Sequence, residues 1–460
     1  MLEGRADCTG AVKLQHLAAM THEIQAPPRQ IGFWTCLALV IGNTIGTGIF
    51  LLPAALAPFG WNALYGWAIT VGGALCLAYV FAELARTIPN AGGPYDYIAS
   101  AFGPMAGFFV MWAYWISQWV TNAAIGIGLV SYLEPFAPGF FARPAAGPLT
   151  AIALVIAMTA VALRGVRASG SVQIVTTVLK IIPLLAVILL AAVVFGGGDG
   201  TSAAGTMNIA PMPVGGAAIA GSAALALWAM QGFEAGTVPA GRVIDPGRTI
   251  ARATLIGTLF VGIIYVLVTF AVFLLLPSEV AAKSTAPLAD LMSRVWGSEA
   301  GKVIAGFAAI SALGALNGWV FLQAEVPLVL AERGVFPRFF ARVNEKGAPV
   351  YAQILGCFLS VALIATNLSS GMIEIYSFII LLATAATLVL YLAGALTMLA
   401  LLKRGQAKGA AVTAAALVGA TYAVWTFYGA GGQATAWGAA LLATGIPVYF
   451  LMRRGAAAQE

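Results

Sequence analysis

Three kinds of residue in this chain stand where a bilayer interior would penalise them, and each type implies binding chemistry. The stretch IGNTIGTGIFLLP, 41–53, places Asn43, Thr44 and Thr47 among Gly42, Gly46 and Gly48 inside an apolar run long enough to span a membrane. The glycines weaken helical order, and unwound backbone survives in a membrane only when buried in protein or lining a wet cavity. A half-helix restarting near Gly48 aims free N–H groups and a positive dipole end at the gap, which suits a carboxylate. Glu234, in LWAMQGFEAGTVP, sits beside a second glycine-interrupted stretch. A carboxylate there must be paired, protonated or wet, so it is either a working group or a hydrogen-bonding brace for the broken helix. Trp228 and Trp319 fall near the middle of their runs and offer faces that hold a cation, worth up to about 2 kcal/mol when desolvated; tryptophans nearer the ends of such runs serve as interfacial anchors. No phosphate loop, metal cluster or nucleophile constellation occurs, so the expectation is no cofactor, no metal and no enzyme activity.

The elements that must position these residues follow from composition. Of 460 residues, 61% are hydrophobic and 9% charged, which defines an all-α polytopic membrane protein. The apolar runs predict twelve transmembrane helices, at about 31–55, 61–86, 105–133, 148–164, 171–195, 215–240, 252–276, 301–331, 349–367, 375–402, 410–428 and 434–452. A polar N-terminal tail, 1–30, and a short C-terminal tail, 453–460, flank them. Residues 1–30 carry no secretory signal, and Met20 is an alternative start, since MTHEIQAPPRQIGFW resembles the short polar lead of a transporter. Alternating the loops puts 18 Lys and Arg on the inner side and four (Arg143, Lys283, Arg294, Lys302) on the outer, with Lys180 left inside a span. That asymmetry places both termini in the cytoplasm and reads the net charge of +6 as topology, with no nucleic-acid partner. Cys8, Cys36, Cys76 and Cys357 lie in the tail or in spans, and both histidines, His16 and His22, in the tail.

The two broken spans are the first and the sixth, the spacing of a five-plus-five inverted repeat. Repeat one then covers about 31–195 and repeat two about 215–402, with spans eleven and twelve, about 410–452, outside them. The competing reading, glycines that merely let helices pack closely, does not account for the polar residues beside them.

The motifs IGNTIGTGIFLLP, AGGPYDY, YWISQWVTN, LWAMQGFEAGTVPAGRVIDP, LGALNGWVFLQAE and ERGVFPRFFARVN, in this order, resemble the amino acid/polyamine/organocation superfamily. Within it the chain is most similar to the bacterial basic amino acid/polyamine antiporters, the arginine/agmatine antiporters above all. The resemblance covers nearly everything after residue 30. It implies alternating access in the inner membrane, with substrate held between spans one, three, six, eight and ten, and it allows a homodimer. It implies that Asn43, Ile45, Gly46, Thr47 and Gly48 hold the substrate's carboxylate and amine, and that Trp228 covers the bound substrate. Glu234 matches a carboxylate tied to proton or gate coupling, Tyr114 an outer-gate tyrosine and Asn122 a substrate-contacting asparagine. Trp319 matches the aromatic that stacks on the guanidinium end, and Tyr95 an inner-gate tyrosine associated with pH sensing.

Four pocket positions depart from the arginine/agmatine pattern: Gln118 replaces a small residue, Gln231 an apolar one, Ile125 a methionine, and Ala383 lacks a hydroxyl. A different distal group on the substrate follows. Lys180 matches a lysine that in some relatives stands in place of sodium. It either binds and releases a proton or stays charged and bonds the carbonyls of span one; both make sodium dependence unexpected. The expected function is exchange of a cationic, arginine-like amino acid for its decarboxylated, agmatine-like amine. The alternatives are a proton-coupled uptake permease for neutral or broadly chosen amino acids, which Lys180, Gln118 and Gln231 suit, and a transport-dead nutrient sensor.

Overall fold

A computed structural model of the chain describes residues 31–88, 91, 93–196, 209–238, 240–366 and 372–457. The expected tail 1–30, with Met20, Cys8, His16 and His22, lies outside these residues, as do 458–460. Helices run nearly end to end through the rest. The first span divides into α1 (Phe33–Thr44) and α2 (Gly48–Leu56), and α3 (Trp61–Thr87) returns from it. A short helix, α4 (Pro94–Phe102), leads into α5 (Pro104–Leu133), followed by α6 (Ala146–Ala162) and α7 (Val166–Gly196). The second set is α8 (Gly216–Met230), α9 (Pro246–Leu275), α10 (Ser298–Glu332), α11 (Val350–Ala365) and α12 (Met372–Lys403). Then come α13 (Ala410–Ala430), α14 (Gly432–Ala443) and α15 (Gly445–Ala457), the last running on through 453–457.

Among the described residues nine helical stretches are long and apolar enough to cross a membrane, and α6 and α11 are shorter apolar helices. The fourth expected span, 148–164, has the length of α6 and lies two residues later, while α11 is shorter than the expected 349–367. The thirty-residue α5 falls short of the same apolarity for a physical reason: nearly all of it is buried in protein, and it carries Ser117, Gln118, Thr121 and Asn122 there. The centre of the molecule is the broken first span, 83% of whose apolar window is buried, against 6% for Gly432–Met452 at the periphery.

α3 lies along α9, and α5 along α10. Near the end of α3, Glu83 and Arg86 form an i,i+3 pair at 2.5 Å.

Candidate functional site

The first break spans three residues. α1 ends at Thr44, Ile45 is extended (φ −78°, ψ 90°), and α2 restarts at Gly48. Ending a helix inside a protein leaves carbonyls without intrahelical donors, and here side chains of three other helices supply them. Lys180 Nζ of α7 donates to the carbonyls of Gly42 at 2.6 Å and Ile45 at 2.7 Å. The Trp319 indole N–H of α10 donates to Asn43 O at 3.0 Å, and the Tyr265 hydroxyl of α9 to Thr44 O at 2.7 Å. Gln173 Nε2, two turns before Lys180, donates to Asn43 Oδ1 at 3.3 Å. Four consecutive carbonyls are thus fixed from outside, while the first N–H groups of α2 remain free to face a ligand.

The second break follows α8. Gln231 is extended (ψ 144°), Gly232 has φ +115°, and Phe233–Gly236 form a single 3-10 turn. Gly232 is required twice over: its backbone lies in the left-handed region, and a Cβ there would stand 2.7 Å from Thr44 N. The two breaks therefore touch at Gly232 and Thr44. Gln231 is pinned to α12, its Nε2 donating to Thr384 Oγ1 at 3.3 Å and its Oε1 accepting from the Thr387 hydroxyl at 3.1 Å.

Glu234 is fully buried, and both of its carboxylate oxygens are occupied. Oε1 accepts from the Tyr114 hydroxyl at 3.0 Å; Oε2 accepts from the Tyr391 hydroxyl at 2.7 Å and from Gly232 N–H at 3.0 Å. The Phe233 ring stacks on Tyr391 at 4.8 Å. Glu234 therefore ties α5 and α12 to the second break.

Trp228 meets Tyr376 edge-on at 5.7 Å, and the Tyr376 hydroxyl lies 3.4 Å from Thr47 Oγ1. These three residues form a lid over the breaks. Tyr376 also lines a cavity of about 380 Å³ with Leu51, Phe59, Ile127, Ser131 and Leu225, on the side of the C-terminal half of α2. Gly48 lets α2 approach Ala229 and Trp228, whose atoms a Cβ would meet at 2.9 and 3.1 Å.

On α5, Tyr114, Gln118 and Asn122 recur one turn apart on one face. Asn122 Nδ2 donates to Gln323 Oε1 of α10 at 2.8 Å, and Gln323 is one turn beyond Trp319. Ala383 is buried on α12, and the hydroxyls reaching the second break come from its neighbours Thr384 and Thr387.

Two expected residues lie elsewhere. Lys180 faces the carbonyl side of the first break. Tyr95 belongs to α4, under Gly107, next to Asp96, which pairs with Arg333. Burial, with the Asp96 carboxylate beside it, pushes the Tyr95 hydroxyl above its usual range. Arg404 caps the same helix by donating to Ser100 O at 3.2 Å and Ala101 O at 2.8 Å.

Sequence reasoning missed Tyr265, Tyr376, Tyr391, Gln323, Thr384 and Thr387. On α12 a signal was present, because Thr384, Thr387 and Tyr391 follow i, i+3, i+7 spacing in an otherwise apolar run. Tyr265 and Gln323 are isolated polar residues and carry no such pattern.

Two helix breaks facing each other inside long apolar helices, with aromatic rings over them, define an all-α membrane protein of the broken-helix kind, built to enclose a small polar molecule. The chain belongs to the amino acid permease family, whose model matches residues 31–452. It is 36% identical over 335 residues to the cadaverine/lysine antiporter of Escherichia coli (strain K12), covering 73% of this chain and 74% of that protein. Similarity to the putative arginine/ornithine antiporter of Bacillus subtilis (strain 168) is 30% over 411 residues, covering 82% and 85%. The putrescine transporter PotE of Haemophilus influenzae is 29% identical over 430 residues, covering 93% of this chain and 98% of that protein.

Proposed function

We propose that this protein is a carrier, not an enzyme, that exchanges a cationic amino acid for its decarboxylated amine across the inner membrane. The observation that carries the reading is the free N-terminus of α2 facing the second break beneath Trp228 and Tyr376. A carboxylate sits on the N–H groups of Gly48 and its neighbours, and the aliphatic chain and distal cation lie toward Trp319 and α5. A decarboxylated amine keeps the distal half of these contacts and leaves the α2 N-terminus empty, so both partners of an exchange fit one pocket. The similar antiporters and transporter are named for cadaverine, lysine, arginine, ornithine and putrescine, all molecules of this kind.

In this reading the chain crosses the membrane twelve times with both termini inside, α6 and α11 being crossings that tilt little. Lys180 stands where a bound cation would hold the carbonyls of the first break, so transport needs no sodium. Any proton coupling passes through Lys180, because Glu234 already accepts three hydrogen bonds.

The test is counterflow in proteoliposomes loaded with unlabelled lysine or arginine and presented with labelled cationic amino acid, its amine, or a neutral amino acid. Uptake of cationic substrates only into loaded vesicles is the expected result. Uptake into empty vesicles driven by a proton gradient, with neutral substrates preferred, overturns it.

A further inference from the structure

The short helix α4 is held at both ends by charge. It has nine residues, too few for a helix to persist on its own hydrogen bonds. Asp96 stands in its first turn, at the positive end of its dipole, and pairs with Arg333, the residue that caps the C-terminus of α10. At the other end Gly103 N–H donates to Ala99 O at 2.9 Å, and Arg404 donates to the next two carbonyls, Ser100 O at 3.2 Å and Ala101 O at 2.8 Å. Arg333 and Arg404 are each the first residue after a long helix, of 35 residues in α10 and 32 in α12. The C-termini of those two helices therefore grip the two ends of α4.

What α4 touches gives that grip a consequence. Gly93, at its start, lies so close to the chain leaving the second break that a Cβ would stand 3.0 Å from Thr237 O and 3.1 Å from Val238 O. Both of those residues are buried. A few residues further on, Ile244 N–H donates to Ile31 O at 2.9 Å, so the chain entering the first span is bonded to the chain leaving the second break. Opening the pocket toward this end, the inner one in the reading above, parts these segments from their neighbours, and α4 is one of those neighbours.

We propose that Asp96, Arg333 and Arg404 are positioning residues that clamp α4 against the exit of the second break and so set how often the pocket opens to the inner side. This rests on the carrier reading above and goes beyond it by giving three charges outside the pocket a part in the access equilibrium. The Arg333 side chain is 45% exposed and that of Asp96 19%, so the pair works close to water and is screened by salt. Such a pair shifts the equilibrium by about fivefold, equivalent to about 1 kcal/mol.

The experiment measures the KM of a labelled cationic amino acid, lysine or arginine, in right-side-out and in inside-out membrane vesicles. A weaker clamp populates the inward-open form, so the ratio of outer to inner KM is expected to rise about fivefold in Asp96→Asn and in Arg404→Met. High salt is expected to move the parent ratio the same way and to leave Asp96→Asn where it is. Arg333→Asp is expected to shift the ratio at least as far, and the double reversal of Asp96→Arg with Arg333→Asp to restore it to within about twofold of the parent. An unchanged ratio in Asp96→Asn and Arg404→Met overturns the inference, as does a double reversal that stays as far shifted as Arg333→Asp alone. Amide hydrogen exchange over 98–103 in the purified protein tests the clamp without transport: at least about fivefold faster exchange in Asp96→Asn and Arg404→Met is expected, and parent-like exchange overturns it. A parent that exchanges no cationic substrate overturns the carrier reading instead, and the hydrogen-exchange result then decides the clamp by itself.

Discussion

Replacing Lys180 by methionine isolates what the buried ammonium does, because methionine nearly matches the length of the chain and packs adaptably. Gly42 O and Ile45 O lose donors at 2.6 and 2.7 Å. Each carbonyl left bare in the interior costs about 1–3 kcal/mol, so the break in its present shape loses about 2–6 kcal/mol. Against this, a fully buried ammonium whose acceptors are neutral carbonyls carries a desolvation penalty of several kcal/mol, which methionine removes. The two terms largely offset each other in global stability, and the melting temperature of the purified variant is expected within a few degrees of the parent. They do not offset in function. The chain from Gly42 to Ile45 relaxes to meet its own carbonyls, and a shift of about 3 kcal/mol depopulates the substrate-binding shape by about two orders of magnitude. Counterflow is therefore expected to fall about 100-fold, with substrate binding by scintillation proximity falling in parallel. Exchange within threefold of the parent, with the same dependence on pH, would refute the assignment of Lys180 as the prop of the first break.

Three further substitutions probe the same site. Gly232→Ala puts a Cβ 2.7 Å from Thr44 N and forces a left-handed residue that costs about 1–2 kcal/mol for the backbone alone; loss of exchange and a lower melting temperature by fluorescence size exclusion are expected, and a parent-like variant would show that the breaks do not need to touch. Trp319→Leu removes a cation–π face worth up to about 2 kcal/mol, or roughly 30-fold, for cationic substrates; it also frees Asn43 O, which affects every substrate, so only a larger loss for cationic than for neutral ligands supports a stacking role. Tyr95→Phe tests the pH-sensing role that the family resemblance implies. A hydroxyl whose pKa is raised stays protonated below its ordinary range, so it is neutral throughout pH 5–8 and the variant should keep the shape of the exchange-against-pH curve; a shifted midpoint would assign Tyr95 a titration the structure does not support.

The parts of this site legible in the sequence are those whose signal is local. Gly46 and Thr47 broke the pattern of an apolar run, and the break falls there. Gly232 was legible only as one glycine among several, because its φ of +115° answers to Thr44, nearly two hundred residues away in the chain. Glu234 offered two readings, and the choice rests on tyrosines 120 and 157 residues distant, which no spacing could connect to it. Tyr265, alone in an apolar helix, gave no sign that it caps the first break. Span bounds differ by a few residues, α11 being shorter than expected, while α5 is less apolar than its length requires because protein, not lipid, surrounds it.

The supports of the two breaks explain why a ligand could drive motion. The first break is held by α7, α9 and α10 through Lys180, Tyr265 and Trp319; the second is held by α5 and α12 through Tyr114, Tyr391, Thr384 and Thr387. α12 also reaches the first break, its Tyr376 hydroxyl lying 3.4 Å from Thr47 Oγ1. The two sets pack along the α5–α10 seam and also meet at the Gly232 contact with Thr44 and across the Asn122–Gln323 bond. A molecule with its carboxylate on α2 and its far end on α5 bridges the sets directly, and its contacts are lost if one set rocks while the ligand stays with the other. Binding free energy therefore favours arrangements in which both sets close on the ligand together.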